Sequence, residues 1–318
     1  MSKISFTKTA NSYAEQLQKL KDRGLKIDSD KKVLHLLQKL SYFRLSGYWY
    51  PLLKEPKSLH QFKEGANFQT AFELYRFDRD LRSFVLKEIE KIEIAVRAQL
   101  IYEFSHNRNA FWLSDASNFK DAYKHGKTLD KLIYEFNRSD EEYLKAFIDK
   151  YTDPLPPCWM ILEITSLGAL SNIYANLKSL RPKRNVADAF GLDETTFASW
   201  LHCFTYIRNL CAHHSRLWNR EIQVRPTIPP NPRLTWLRNT EFTNDKTYCV
   251  LSMMLYLLQS IDVKHQFIFR LRVLLSKYPC VDLSAMGFPK NWQKEPLWKF
   301  SPNLKQWVRL NIFSKHRL

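Results

Sequence analysis

Residues 68 to 104 read "FQTAFELYRFDRDLRSFVLKEIEKIEIAVRAQLIYEF", with no glycine or proline to interrupt them. Phe72, Tyr75, Leu81, Val85, Ile89, Ile92 and Val96 recur at steps of three and four, the period of an amphipathic α-helix. One long helix is therefore expected from Asn67 to about Phe104. Charges follow the same period: Asp78 with Arg82, and Glu93 with Arg97, stand four apart on one face. On a solvated face such pairs contribute only a few tenths of a kcal/mol. If the face carrying Glu90, Glu93 and Arg97 turns inward, it needs partners from another helix, and these three are expected to form a network supporting the bundle.

Working outward, helical patterns occur at 11–23 and 28–41, joined by a turn in which Gly24 serves as C-cap and Asp28 or Ser29 as the next N-cap. The aromatic run "SYFRLSGYWYPLL" ends a helix at Gly47. Residues 107–128 are mixed and loop-rich in expectation. Helices resume over 129–151, stop at Pro154, Pro156 and Pro157, and continue as one apolar helix over 159–180 up to a basic turn, "RPKRN". Further helices are expected at 195–218, 245–261 and 264–277. A basic, proline-rich passage, "EIQVRPTIPPNPRLTWLRN", should wrap the surface, and the aromatic tail "VDLSAMGFPKNWQKEPLWKF" should pack back on the helices. Only 7 of 318 residues are glycine. The expected class is all-α, a helical bundle with an N-terminal part over 1–150 and a C-terminal part over 151–318.

Forty-nine Lys and Arg against 32 Asp and Glu leave a formal charge of +17. An excess of that size attracts polyanions, so nucleic acid becomes the expected partner. The five cysteines, Cys158, Cys203, Cys211, Cys249 and Cys280, are far apart and contain no CxxC pair, which argues against a disulfide framework or a zinc site. No cofactor or metal is implied. The N-terminus lacks an apolar leader-type core and no apolar run is long enough to span a bilayer, so a reduced, cytoplasmic protein without membrane partners is expected.

The chemistry concentrates in residues 206–220, "YIRNLCAHHSRLWNR". On a helical wheel, Phe197, Trp200, Leu201, Phe204, Ile207 and Cys211 form the core side. His202, Thr205, Asn209, His213 and Arg216 gather on another arc of about 80°. That polar seam suits cleavage of RNA by its own 2′-hydroxyl: histidine transfers protons near neutral pH, and arginine presents a planar fork to the phosphate. Asn209, one turn below His213, can orient the ring or hold substrate. Arg208 lies about 140° from His213 on the ideal wheel, a mismatch that a bent side chain, a distorted helix or a site shared by two copies would resolve. Two copies would also supply two histidines. The Arg-to-His spacing alone is weak, arising about once or twice by chance in such a chain, and Arg309 with His316 match it as well.

The segment "IRNLCAH" resembles the R-N-x-x-x-H signature of the HEPN superfamily, all-helical proteins that include many metal-independent ribonucleases. Together with "SYFRLSGYWYPL", "FELYRFDRDLRSFVLKEIEKIEIAVRAQL", "RNLCAHHSRLWNR" and "MGFPKNWQKEPLW", in this order, the chain is similar to the AbiD/AbiF-like abortive-infection family of bacteria. The resemblance implies a HEPN-type core with additional N-terminal helices and a homodimer cleft holding Arg208, Asn209 and His213 as catalytic residues. It also implies a role in stopping phage growth by damaging RNA, with control by a small non-coding RNA in some relatives.

His214 is read as a neighbour or RNA contact, and His202 as either a seam member or a core histidine. Arg216 and Arg220 would hold phosphates or complement their helix's negative end. Arg181, Lys183, Arg184, Arg225, Arg233 and Arg238 flank the motif and are candidates for an RNA-binding surface, with Trp236 available for stacking. The alternatives to an endoribonuclease are an RNA-binding protein that holds a regulatory RNA without cutting it, and a helical module whose aromatic segments around Tyr48 and Trp298 bind another protein.

Overall fold

The computed structural model describes residues 5, 7, 9–239 and 241–299, so Arg309 and His316 lie outside the described residues. The regular structure is all-α. Twelve α-helices occur among the described residues: α1 (Tyr13–Asp22), α2 (Asp30–Leu40), α3 (Tyr42–Trp49), α4 (Phe68–Asn107), α5 (Ala122–Asn137), α6 (Glu142–Lys150), α7 (Cys158–Ile161), α8 (Leu167–Asn176), α9 (Arg181–Ala189), α10 (Glu194–Ala212), α11 (Thr247–Ile261) and α12 (Phe267–Lys277). Extended pairing among these residues is limited to three isolated bridges.

Residues 68–104 lie within the single 40-residue helix α4. Asn67 caps it by accepting from Thr70 N (2.7 Å) and Thr70 Oγ1 (2.9 Å). Leu81, Val85, Ile89, Ile92 and Val96 are buried as expected. At its N-terminal end Leu74 and Phe77 take the buried positions, while Phe72 and Tyr75 are half-buried. The pair expected on a solvated face is not there: Asp78 is 0% and Arg82 5% exposed.

Three local readings are corrected. Residues 122–128, expected to be loop-rich, already belong to α5, which Asp121 caps by accepting from Lys124 N (3.0 Å). The basic turn "RPKRN" begins α9, because Pro182 fits a first helical turn where its missing N–H costs nothing. The single helix over 159–180 is two, α7 and α8, separated by a 3-10 turn at Leu162–Ile164. Thr165 donates its hydroxyl back to Ile161 O (2.7 Å), and Ser166 restarts the helix as the cap of α8.

The chain divides into two compact units, with the division inside α4. The first unit contains the described residues up to Leu81 together with Leu274–Val281. Its centre is Tyr48, 2% exposed, whose hydroxyl donates to the buried Asp78 carboxylate at 2.6 Å. Residues 274–281 are tied in through Asp80, which accepts from Lys277 Nζ (2.8 Å), Tyr278 OH (2.6 Å) and Arg79 Nη2 (2.9 Å).

The second unit contains Arg82–Val273 and the described residues from Asp282 onward. Its core is carried by α11, buried along Tyr248–Leu258. The aromatic tail does pack back: Phe288, Trp292, Leu297 and Trp298 are buried, and Trp298 Nε1 donates to Ser252 Oγ at 3.1 Å. Tyr48 and Trp298 are thus core residues, while Phe43 and Tyr50 of the segment around Tyr48 are exposed. Glu88, fully buried, is neutralised by Arg270 and has Lys91 Nζ at 3.4 Å.

The Asp80 cluster predicts a pH dependence. Burial works against its charge, but the hydrogen bonds from Lys277, Tyr278 and Arg79 outweigh that and hold the carboxyl at about 2, against an ordinary 3.8. Between those values the unfolded chain binds more protons, so the contribution is present above about pH 4 and disappears as pH falls through about 2. Asp80→Asn should lower the urea midpoint at neutral pH and converge with wild type near pH 2. A constant difference across that range would show that the ionised carboxylate is not the stabilising species.

Candidate active site

Helix α10 starts at a strong cap. Asp193 accepts from the backbone N–H of Thr195 and of Thr196, both at 2.9 Å, and from Thr196 Oγ1 at 2.6 Å. The six expected core residues, Phe197, Trp200, Leu201, Phe204, Ile207 and Cys211, are all buried. Phe197 meets Tyr174 edge-on at 5.0 Å and stacks on Phe190 at 4.9 Å. Trp200 donates Nε1 to Thr227 O at 2.8 Å and meets Tyr256 edge-on. Gly168 of α8 lets the two helices approach closely, since a Cβ there would sit 3.3 Å from Thr205 Cγ2.

The helix ends sooner than its apolar pattern suggests. His213 is its C-cap and His214 adopts the left-handed conformation, φ 56°. Ser215 N donates to Leu210 O (2.9 Å) and His214 N to Cys211 O (3.1 Å), the double bond pattern of a Schellman turn. Arg216, expected on the helical seam, therefore lies beyond the helix. Arg220 Nη1 turns back to Arg216 O at 3.4 Å, and Arg82 Nη1 reaches Ser215 O at 3.5 Å.

Arg208, Asn209, His213, His214 and His202 are exposed, while Thr205 is half-buried and donates its hydroxyl to Leu201 O. His202 is thus not a core histidine. Arg208 Nη1 donates to Asn209 Oδ1 at 3.4 Å, a long bond that leaves the guanidinium fork largely available. Arg208 also borders a groove of about 360 Å³ with Leu86, Ile89, Glu90, Glu93, Ile94 and Arg97 of α4. His213 and Asn209 do not line it. The wheel mismatch between Arg208 and His213 is therefore real in one chain: the arginine faces α4 and the histidine caps the helix end.

Arg97 organises the α4 wall of that groove. Its Nη2 donates to Glu93 Oε1 and to Thr165 O, both at 3.1 Å, and Nη1 lies 3.7 Å from Glu163 Oε2. The partner that the Glu90, Glu93 and Arg97 face required comes from the turn between α7 and α8. Glu163 was not foreseen because the segment reads as continuous apolar helix; Thr165 and Ser166, both helix-interrupting hydroxyl residues, are the signal available in the sequence.

The other basic candidates are dispersed. Lys183 is buried, donating Nζ to Leu177 O at 2.9 Å beneath the Tyr174 ring. Trp236 is half-buried against Trp200 and Tyr256, which occupies its ring. Arg225 pairs with Glu221 and Asp245, and Arg233 with Asp188. Arg184 Nη1 donates to Ser179 O; Arg181 and Arg238 are exposed. All five cysteines are free, and burial pushes the Cys203 thiol up to about 12, so it packs as an apolar residue. Among the described residues no group of three or more His, Cys, Asp or Glu is arranged to hold a metal ion. No helix among them is long and apolar enough to cross a membrane.

A family model described as Abi-like protein matches residues 35–219, more than half of the chain. The chain belongs to the Abi-like protein family. Membership associates it with abortive infection, and the matched span runs from α2 through the turn that follows α10. No curated protein and no solved structure matches the chain.

Removing Arg97 should be costly because Thr165, 3% exposed, would lose the donor to its carbonyl. Arg97→Ala should destabilise by about 1–3 kcal/mol in urea titrations, the range for stranding a buried acceptor. A loss within about 0.5 kcal/mol, typical of an ordinary surface substitution, would mean that water replaces the guanidinium there.

Proposed function

We propose that this Abi-like protein is a metal-independent endoribonuclease of the HEPN type, acting in abortive infection, with its site completed across a homodimer. The observation that carries the reading is that Arg208, Asn209 and His213 project, exposed, from the last turn of a helix whose other side is fully buried. Side chains on so firmly packed a support meet substrate with little loss of ordering entropy.

The chemistry assigns separable roles. The 2′-hydroxyl of the RNA attacks the adjacent phosphorus, and the bond to the 5′-oxygen breaks, leaving a cyclic phosphate and a free 5′-hydroxyl. His213 of one copy takes the 2′-proton, and the same residue of the second copy protonates the leaving oxygen. Arg208 neutralises charge developing on the phosphoryl oxygens, and Asn209, already in hydrogen-bond contact with Arg208, sets the direction of the fork. The dimer answers the geometric problem within one chain, where Arg208 borders the α4 groove and His213 does not. Glu93 and Arg97 position this wall, and Glu90 lines the same groove.

Exposed Arg181, Arg184 and Arg238, with His214 and the less available Arg216, Arg220, Arg225 and Arg233, would contact the RNA backbone. The reading predicts cleavage of RNA in EDTA. Arg208→Ala and His213→Ala should each slow it by about 10²–10⁴-fold, the usual scale for losing proton transfer or oxyanion stabilisation. His213→Ala should still bind RNA. If the wild type leaves RNA intact while a discrete small RNA co-purifies with it, the protein holds RNA without cutting it.

A further inference from the structure

A second groove, of about 520 Å³, lies between α5 and α8, away from the motif. One wall carries Lys120, Lys124, Lys127 and Lys131, at steps of four, three and four. That spacing keeps the three lysines on α5 along a single face, rising about 10 Å from Lys124 to Lys131. All four are exposed. The facing wall comes from α8, where small residues leave room and the exposed Asn172 amide borders the space.

The groove is held in shape independently of any ligand. Asn176 Oδ1 accepts from Asp121 N at 3.1 Å and its Nδ2 donates to Asp121 O at 3.0 Å, joining the end of α8 to the start of α5. Among the described residues, Asp121 supplies the one carboxylate within ion-pair distance of these ammonium groups, 3.7 Å from Lys124. It is already committed to capping α5. Elsewhere lysines are held in short ion pairs, as with Lys21 and Asp30, Lys145 and Asp140, and Lys277 and Asp80, at 2.6–2.9 Å. Behind the open wall, the buried Lys183 adds another positive charge; burial first, then Lys120, pulls its ammonium down to about 8.

A row of like charges on one helix face destabilises that helix, and here no carboxylate row opposes it. A compact anion such as inorganic phosphate would reach one or two of the four ammonium groups. We infer that the α5–α8 groove is a binding site for a linear chain of phosphates, running along the lysine row with Asn172 opposite. Two sources share this chemistry: the backbone of single-stranded RNA, and short polyphosphates such as a nucleoside triphosphate. The inference does not rest on the cleavage reading, because no residue of the groove belongs to the motif.

The test measures binding to the full chain by fluorescence anisotropy or calorimetry in EDTA. The probes are a short 2′-O-methyl RNA, which has no 2′-hydroxyl to attack, inorganic polyphosphate and ATP. Wild type is compared with Lys124→Glu/Lys127→Glu/Lys131→Glu and with the corresponding triple arginine variant. At least one probe should bind wild type and the arginine variant, and bind the glutamate variant at least about tenfold more weakly. For the RNA probe, the dependence of log affinity on log salt should also flatten by about two units, at roughly 0.7 per lost phosphate contact. RNA binding alone identifies the backbone as the ligand; polyphosphate or ATP binding alone identifies the shorter class. If no probe binds wild type, or the folded glutamate variant binds every probe as tightly, the inference is overturned. A wild type that cuts no RNA but shows the lysine-dependent binding would reject the cleavage reading and leave this site standing.

Discussion

Helix α10 has to satisfy two requirements at once: its apolar side is sealed into the core, and it must stop within a residue of His213. The seal is made by Phe197, Trp200, Phe204 and Ile207, and by the close approach that Gly168 permits to α8. The stop is made by the backbone, through the left-handed His214 and the two hydrogen bonds that close the turn. A longer helix would have carried Arg216 onto the polar seam and continued the apolar side past Cys211. Instead the chain reverses, Leu217 and Trp218 return to the interior, and the motif is left at an exposed end. Burial fixes where the motif stands, and termination makes it accessible.

The same requirements extend through α4. Arg208 projects toward the wall carrying Glu90, Glu93 and Arg97, and Arg97 is held by the carbonyl of Thr165. That carbonyl is available because the chain breaks between α7 and α8 instead of running straight through. A Thr and a Ser in an otherwise apolar segment thus determine which side chains surround Arg208, although neither reaches it. The motif depends on three stretches far apart in sequence, and all three lie within residues 35–219, the span matched by the Abi-like family.

The all-α class, the long α4 and the core side of α10 were legible because each rests on many apolar residues repeating at helical period. The catalytic candidates were legible by the resemblance and by the chemistry of Arg, Asn and His, and less so by spacing, which Arg309 and His316 also satisfy. What could not be read was set by tertiary partners. Asp78 and Arg82 look like a solvated pair and are buried, since sequence spacing does not report which face turns inward. Tyr48 and the tail residue Trp298 are core, the tail packing back as expected, but each finds its polar partner in a residue distant in sequence that spacing does not name. The starts of α5 and α9 were obscured for a different reason: they lie in a mixed stretch and a basic one that read as loop and turn, and only a cap or an early proline marks them.

The excess of positive charge gains meaning from where it is concentrated. Several basic residues expected to form an RNA surface are engaged: Arg225 and Arg233 by carboxylates, and the buried Lys183 by the Leu177 carbonyl. The lysines went unremarked because Lys124 and Lys127 fall in a stretch read as loop-rich and Lys131 in the helix expected after it, which hides their common face. Once α5 is a helix, the steps of four, three and four become a face, and the small residues of α8 become the opposite wall of a groove. Net charge attracts polyanions at long range whatever its arrangement. The lysine row and the motif at the end of α10 stand on separate helices, so that each can be removed by substitution without touching the other.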